Sequence, residues 1–273
     1  MIDIHCHLLH GVDDGAATEE ISHELMNLAV RCGTRAIIAT PHVIEAAQKP
    51  AWSVIVDRAA SLAQYALDKR LPLQVYPGGE LEVNADLLEI VQKDSDDYCL
   101  AGTSYVLVEF PASMVPEDTE EIFYQLQLKD KWPIIAHPER NKHVMSDMNR
   151  LLRWLRSGIL LQCNAGSFTG LYGSPAQANA QLLLRNGLIS FIGSDAHNTE
   201  RRTTDMRAAA EAIEEQVGAL ALAELTVTNP QKLLNNKIFY LDVPKNPADL
   251  QGVGPTKQSQ EGVWDKLIRR FTH

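Results

Sequence analysis

Seven short apolar runs, each bounded by Gly, Pro or polar residues, set the strongest limit on how this chain can fold. They are Met1–His5, Arg35–Thr40, Leu73–Pro77, Tyr105–Phe110, Pro133–His137, Ile159–Cys163 and Ile189–Gly193. Each is about five residues long and rich in Ile, Val or Leu, and apolar runs of that length suggest strands buried on both faces. Stretches with helical spacing separate most of them. Over Glu19–Arg31, residues Ile21, Leu25, Leu28 and Ala29 share one face and Thr18 stands ready as N-cap. Ser53–Lys69, Asp118–Lys129, Asp147–Arg156, Pro175–Arg185 and Thr204–Gln216 repeat the pattern. Strand followed by helix, this often, predicts an α/β protein with a parallel sheet. Seven such units in about 240 residues fit a closed barrel better than an open sheet.

The barrel is expected to occupy residues 1–243. Pro244, Pro247, Gly252, Gly254 and Pro255 then interrupt a polar stretch that reads as a flexible linker over 244–262. The last residues, 263–273, form a short basic amphipathic tail. Trp264, Leu267, Ile268 and Phe271 fall on one face of a helix, flanked by Lys266, Arg269 and Arg270. Such a tail is either a disordered or packed end, or a weak contact with a membrane surface or a partner. No run of 18 apolar residues is present, and the start MIDIHCHLLHGVDDG has no basic stretch followed by a long apolar one, so no spanning segment or secretory signal is expected. Cys6, Cys32, Cys99 and Cys163 form no CxxC pair and read as reduced thiols of a cytoplasmic protein. A formal charge of −10 argues against nucleic acid as a partner.

The chemistry lies at the C-terminal ends of the runs. His5 and His7 close the first, and Asp14 follows in the next loop. His42 follows the second, Glu80 the third, Glu109 ends the fourth and His137 the fifth. Asn164 ends the sixth, and the seventh leads to Asp195 and His197. In a parallel barrel these ends converge on one mouth, where barrel active sites sit. His5 and His7 are two apart, as are Asp195 and His197, so on extended backbone each pair faces one way and can grip one ion. Imidazole mixed with carboxylate suits Mn, Fe or Zn better than Ca or Mg, and Co tolerates the same set. This many candidate ligands exceeds the need of one ion, so two or three divalent cations are expected. Asp3 reads as turned away from His5, a supporting or structural residue. Asp13 reads as a solvated turn residue or a loop orienter. His10, His23, His143 and His273 read as surface or core residues.

With those residues in place, the chain resembles the PHP (polymerase and histidinol phosphatase) superfamily. DxHxH, TPH, GGE, H-x-E-R and the late DxH carry the likeness, which runs from residue 1 to about 240. HxHxxxxxDDG, AHPERN and SDAHN are similar to the bacterial manganese-dependent protein-tyrosine phosphatases of capsular and exopolysaccharide operons. The resemblance implies a distorted seven-stranded TIM-like (β/α)7 barrel. It implies up to three metals, with Mn the expected ion, held by His5, His7, Asp14, His42, Glu80, Glu109, His137, Asp195 and His197. It also implies phosphate-binding arginines at Arg140 and Arg202, with Arg201 adjacent and a one-residue slip open. The implied substrate is a tyrosine-phosphorylated protein, and the implied partner a membrane-bound bacterial tyrosine kinase, met at the inner membrane. The tail at 263–271 could touch either.

The thiol route to tyrosine dephosphorylation needs an Arg six residues after the nucleophilic Cys. Those positions hold Val12, Ile38, Tyr105 and Thr169, which excludes it. The expectation is instead that a metal-activated hydroxide attacks phosphorus in line, with Arg140 and Arg202 neutralising phosphoryl oxygens and no phosphoenzyme formed. His42 or a metal-bound water could protonate the phenolate, itself a good leaving group with a pKa of about 10. Histidinol-phosphate hydrolysis, another small-molecule phosphatase activity, a nuclease, or a non-catalytic binding module of the same superfamily are the competing readings.

Overall fold

The computed structural model describes residues 1–44 and 49–252, so the tail at 263–273 and the second half of the 244–262 stretch lie outside the described residues. Nine strand segments appear among the described residues: β1 (Ile2–Cys6), β2 (Ala36–Ala39), β3 (His42–Val43), β4 (Gln74–Pro77), β5 (Glu80–Glu82), β6 (Tyr105–Glu109), β7 (Trp132–Ala136), β8 (Leu160–Asn164) and β9 (Phe191–Gly193). All pair in parallel, in two sheets with orders β1-β2-β4 and β3-β5-β6-β7-β8-β9. Each of the seven apolar runs holds a strand. The two further segments, β3 and β5, follow shortly after β2 and β4 and belong to the other sheet. Pro41, with no N–H to give a ladder, separates β2 from β3, and Gly78–Gly79 separates β4 from β5.

Among the described residues five longer helices connect them, α1 (Glu19–Arg31), α2 (Trp52–Asp68), α3 (Thr119–Leu128), α4 (Met148–Arg156) and α5 (Ser174–Arg185), and a sixth, α6 (Arg207–Val217), follows β9. α1 spans the expected residues, and the Thr18 hydroxyl accepts from Ile21 N, a cap of about 1 kcal/mol. α6 begins three residues later than its apolar pattern suggests. The Thr204 hydroxyl is spent on Leu25 O, and the Asp205 carboxylate accepts from Arg207 N where the helix starts.

Burial sorts the strand residues into two sets. Ile2, Ile4, Ala36, Ile38, Leu107, Ile134, Ala136, Leu160 and Phe191 pack on one another in a shared interior. Val106, Val108, Ile135, Leu161 and Cys163 face the other way, onto Ile122, Phe123 and Leu126 of α3 and Leu151, Leu152 and Leu155 of α4. Cys6, Ile37 and Ala39 likewise meet Leu25, Met26 and Ala29 of α1 and Ile55, Ala59 and Leu62 of α2. The strands are therefore apolar on both faces, as their unbroken runs require. The start of the expected flexible linker is held to this body. Arg156 donates to Pro244 O and Lys245 O, Gln251 N donates to Asn186 Oδ1, and Leu250 is buried.

One irregularity in β1 sets up the site. Asp3 pairs with Ile37 and Cys6 with Ala39, so three steps on β1 meet two on β2. Such a bulge re-aims side chains. Ile4 packs in the interior while its neighbour His5 also reaches inward, to Gln162 of β8.

Candidate metal centre

The chain ends of the strands bring all nine candidate ligands into one cluster. Glu80, at the start of β5, sits at its middle. Its Oε2 lies 3.2 Å from His5 Nε2, 3.3 Å from His7 Nε2 and 3.2 Å from His42 Nδ1, while its Oε1 lies 2.8 Å from His137 Nε2. Asp195 Oδ1 stands 3.4 Å from His7 Nε2 and 3.6 Å from His5 Nε2. Glu109 Oε1 is 2.9 Å from His42 Nδ1. Asp14 Oδ1 joins His42 Nε2 at 3.6 Å to His197 Nε2 at 3.4 Å. Three overlapping groups result: His7, Asp14, His42 and His197; His5, His7 and Glu80; His42, Glu80 and Glu109.

The outer nitrogen of each deep histidine is anchored, which aims the other inward. His5 Nδ1 meets Gln162 Oε1 at 2.8 Å, and His7 Nδ1 meets Asp13 Oδ2 at 2.6 Å. Asp13 also accepts from the backbone N–H groups of Gly15 and His42. Of the two readings of Asp13, the orienter is the one observed. Asp3 Oδ1 accepts from Ser194 N and His5 N and so ties β1 to the segment after β9. Two glycines permit the close approach. A Cβ on Gly15 would lie 2.3 Å from His7 O, and one on Gly193 would lie 2.8 Å from His5 Cβ. His137 (φ 33°) and Asp195 (φ 50°) hold left-handed backbone, which costs a non-glycine residue about 1–2 kcal/mol. Strain of that kind gathers where side-chain direction matters more than local comfort.

The electrostatics are those of a site built for cations. Burial works to raise the carboxyl pKa of Glu80, but the charges of His5 and His137 outweigh it and hold the group well below the usual range. Burial also opposes Asp195, and His5, His7 and His137 again win. His7 resists its own burial through Asp13, Asp195 and Glu80 and is pushed well up. His197 goes the other way, to about 3, by burial and the nearby His7. Glu80 Oε2, Asp195 Oδ1, His42 Nδ1 and His197 Nε2 are buried and meet only other ionisable groups of the cluster. Charged groups gathered out of water are costly unless a counter-charge is shared among them. Here they belong to imidazoles and carboxylates that converge with no thiol among them, a donor set that fits divalent Mn, Fe, Co or Zn.

Both expected arginines reach this cluster. Arg140 Nη1 donates to Asp195 Oδ2 at 2.6 Å, and Arg202 Nη2 lies 2.7 Å from Asp195 Oδ1. Arg201 turns elsewhere, with Nη2 3.4 Å from Leu171 O, so of the two adjacent arginines Arg202 is the one that meets Asp195. Asn164, the polar end of β8, donates to Asp195 Oδ2 at 2.6 Å. Sequence reasoning missed Gln162 and Tyr172. Gln162 stands two residues before Asn164, so strand period alone could have placed it on the same face. Tyr172, whose ring lies 4.2 Å from the Arg140 guanidinium and 6.0 Å from that of Arg202, comes from a loop with no period to betray it. His10 contacts Arg58 and His23 stacks on Tyr65, both away from the centre.

Five imidazoles and four carboxylates gathered at one side of parallel strands, with two arginines beside them, mark an α/β metal-dependent hydrolase. The chain belongs to the capsular polysaccharide synthesis family CpsB/CapC, whose model matches residues 1–235. It is 35% identical over 245 residues to the tyrosine-protein phosphatase YwqE of Bacillus subtilis, covering 90% of this chain and 96% of YwqE. It is 28% identical to the tyrosine-protein phosphatase CpsB of Streptococcus agalactiae serotype III over 86% of this chain and 99% of that protein. A solved structure from work on YwqE of B. subtilis and CpsB of Streptococcus pneumoniae, described as unique metal-dependent tyrosine phosphatases, superposes with a TM-score of 0.81 at 35% identity, covering 89% of this chain and 98% of the other. A histidinol phosphate phosphatase from Lactococcus lactis has a TM-score of 0.50 at 12% identity over 80% and 94% of the two chains, a likeness of fold alone.

Proposed function

We propose that this chain is a metal-dependent protein-tyrosine phosphatase that acts on a tyrosine kinase of polysaccharide synthesis and export. The observation that carries the reading is the single carboxylate of Glu80 facing four imidazoles, with Arg140 and Arg202 both on Asp195 at the edge of that cluster. His5, His7, Asp14, His42, Glu80, Glu109, His137, Asp195 and His197 would hold two or three cations, manganese by preference. Cations bound there supply an acidified water as nucleophile and positive charge for the phosphoryl oxygens. Gln162 and Asp13 fix the rings of His5 and His7 so that each Nε2 faces the centre. Arg140 and Arg202 are placed to leave Asp195 for a phosphate and neutralise the oxygens that gain charge in the transition state. Tyr172 backs both guanidinium groups with its ring. His42, at the more open side, can hold a proton for the departing phenolate.

Thiol chemistry has no support in the structure any more than in the sequence. Burial pushes all four cysteine thiols up, Cys99 to about 12, so none offers a thiolate near neutral pH. The reading also includes one distorted seven-stranded barrel. In support, β2 runs on into β3 and β4 into β5. At the opposite side Asp195 N donates to His5 O and His7 N to Ala196 O, joining the end of β9 to β1. The reading places this activity on the cytoplasmic face; among the described residues no helix is long and apolar enough to cross a membrane.

The test is metal analysis of the purified protein coupled to turnover. Chelation should abolish hydrolysis of p-nitrophenyl phosphate and of a phosphotyrosine peptide, and manganese should restore both. Rapid quench should trap no phosphorylated residue. Turnover of histidinol phosphate in preference to phosphotyrosine peptide would replace the protein substrate with a small molecule.

A further inference from the structure

Next to the centre, on the far side of Arg140, lies a cavity of about 630 Å³. Arg140, Lys142 and Arg201 line it, with Tyr172 as the wall shared with the metal cluster. Glu139 is the single carboxylate in the lining. It is buried, and its Oε1 already accepts from Asn164 N and Ser167 Oγ. Arg140 is committed to Asp195. Lys142 and Arg201 have no such commitment. Both are exposed, Lys142 makes no hydrogen bond or ion pair with the described residues, and Arg201 has only the long contact with Leu171 O.

The direction of Arg201 is built in. Asn198 Oδ1 accepts from the backbone N–H groups of Glu200, Arg201 and Arg202, while His197 N and Asn198 N both donate to Arg202 O. In a turn clamped this way, successive side chains must diverge. Arg202 goes to Asp195 and Arg201 goes over the Leu171–Tyr172 edge to the cavity. Adjacent arginines thus serve two places about one side chain apart.

We propose that this cavity is a second anion subsite, which takes an acidic side chain flanking the phosphotyrosine, with Lys142 and Arg201 as its specificity-determining residues. This rests on the tyrosine-phosphatase reading of the neighbouring centre. The ligand is an anionic group on the same polypeptide as the reacting phosphate. A carboxylate or a second phosphotyrosine would both satisfy two cations in a cavity too open to desolvate them. Cations at a rim act mainly through encounter and orientation, and their effect falls with salt.

The experiment compares three monophosphotyrosine or bisphosphotyrosine peptides on the manganese-loaded full chain: one with neutral flanks, one with Asp and Glu flanks, and one with a second phosphotyrosine. The ratio of kcat/KM for each anionic peptide over the neutral one is the readout. The wild type should favour anionic peptides by about three- to tenfold at low salt, as expected of one or two exposed ion pairs. The ratio should shrink toward one in high salt. R201E and K142E should bring it to one or below, and R201K should retain most of it. A larger ratio for the bisphosphorylated peptide than for the Asp/Glu peptide would name phosphate as the natural occupant; the reverse would name carboxylate. Equal ratios in wild type, R201E and K142E, or no preference in the wild type, would overturn the subsite while leaving the phosphatase intact. Hydrolysis of p-nitrophenyl phosphate with none of any peptide would sink the tyrosine-phosphatase reading and the subsite with it.

Discussion

His5, His7, Glu80 and Asp195 form the floor of the centre, with side chains at most 1% exposed, whereas the Asp14 side chain at the rim is 59% exposed and Arg140 and Arg202 are 29% and 26% exposed. The floor stands on the ends of strands and on buried supporting residues: Gln162 holds His5, Asp13 holds His7, and Asn164 holds Asp195. The rim hangs on loops, and among the described residues Asp14 is steadied only by the imidazoles it faces. A floor pre-set in this way needs no reorganisation to take a cation, but every donor in it is costly to leave unpaired. The rim gives up rigidity for access. Substitutions in the two regions should therefore differ in size and in whether added metal repairs them.

Glu80→Gln is expected to do the most harm. It removes the charge that four imidazoles share, and breaking one member of a buried charge cluster costs about 3–5 kcal/mol. That corresponds to roughly a 10²- to 10⁴-fold loss of cation affinity. Metal analysis after dialysis and kcat/KM toward p-nitrophenyl phosphate would both record it, and millimolar manganese should fail to restore activity. Full rescue by manganese would mean that the floor is no more demanding than the rim.

Arg140→Ala and Arg202→Ala come next. Each removes a donor aimed at the phosphoryl oxygens, an effect of about 10²–10³ in kcat/KM. The cation content should stay at the wild-type value, which separates these losses from that of Glu80→Gln. A parallel loss of metal would instead show that the arginines act by holding Asp195.

Much of this division is legible in the amino-acid sequence. Apolar runs without alternation mark the strands because both strand faces are buried, and the residue after each run marks the mouth because parallel strands all end on one side. All nine candidate ligands meet there. What escapes such a reading has physical reasons too. A second short strand follows two of the runs, β3 after Pro41 and β5 after Gly78–Gly79, which run length does not reveal. The slip in β1 makes Ile4 and His5 both point inward, so simple alternation could not assign Asp3, although the reading of it as a support stands. In sequence Asp13 is one more loop acid beside Asp14. Only the fold puts one on His7 and leaves the other in solvent. Tyr172 and the divergence of Arg201 from Arg202 depend on loop contacts between segments far apart in sequence.

Asp13→Asn tests whether the floor owes its aim to its supports. Burial works against the Asp13 carboxyl, yet the hydrogen bond from His7 outweighs it and holds the group at about 2. The amide keeps the shape and loses the charge that fixes the His7 ring. Loss of such a supporting partner typically costs 10- to 100-fold in metal affinity. Titration of the metal-free protein with manganese should show that drop, with kcat at saturating manganese changed less than KM for the metal. An unchanged titration would mean that the backbone alone orients His7.

Asp14→Asn should have the smallest effect, and its kind matters more than its size. The carboxylate lies 3.6 Å from His42 Nε2 and 3.4 Å from His197 Nε2, in contact with water that screens its charge. A ligand there contributes in a high effective dielectric, where a charge is worth a fraction of its buried value. Deleting it should weaken the outermost cation position about tenfold, of the order of one solvent-exposed ligand among several. Excess manganese should then restore nearly full turnover, and metal analysis after dialysis should find one cation fewer than in the wild type. The same stoichiometry with activity lost beyond rescue would mean that Asp14 acts on the substrate or its leaving group rather than on a cation, and the rim would have to be redrawn as part of the reacting centre.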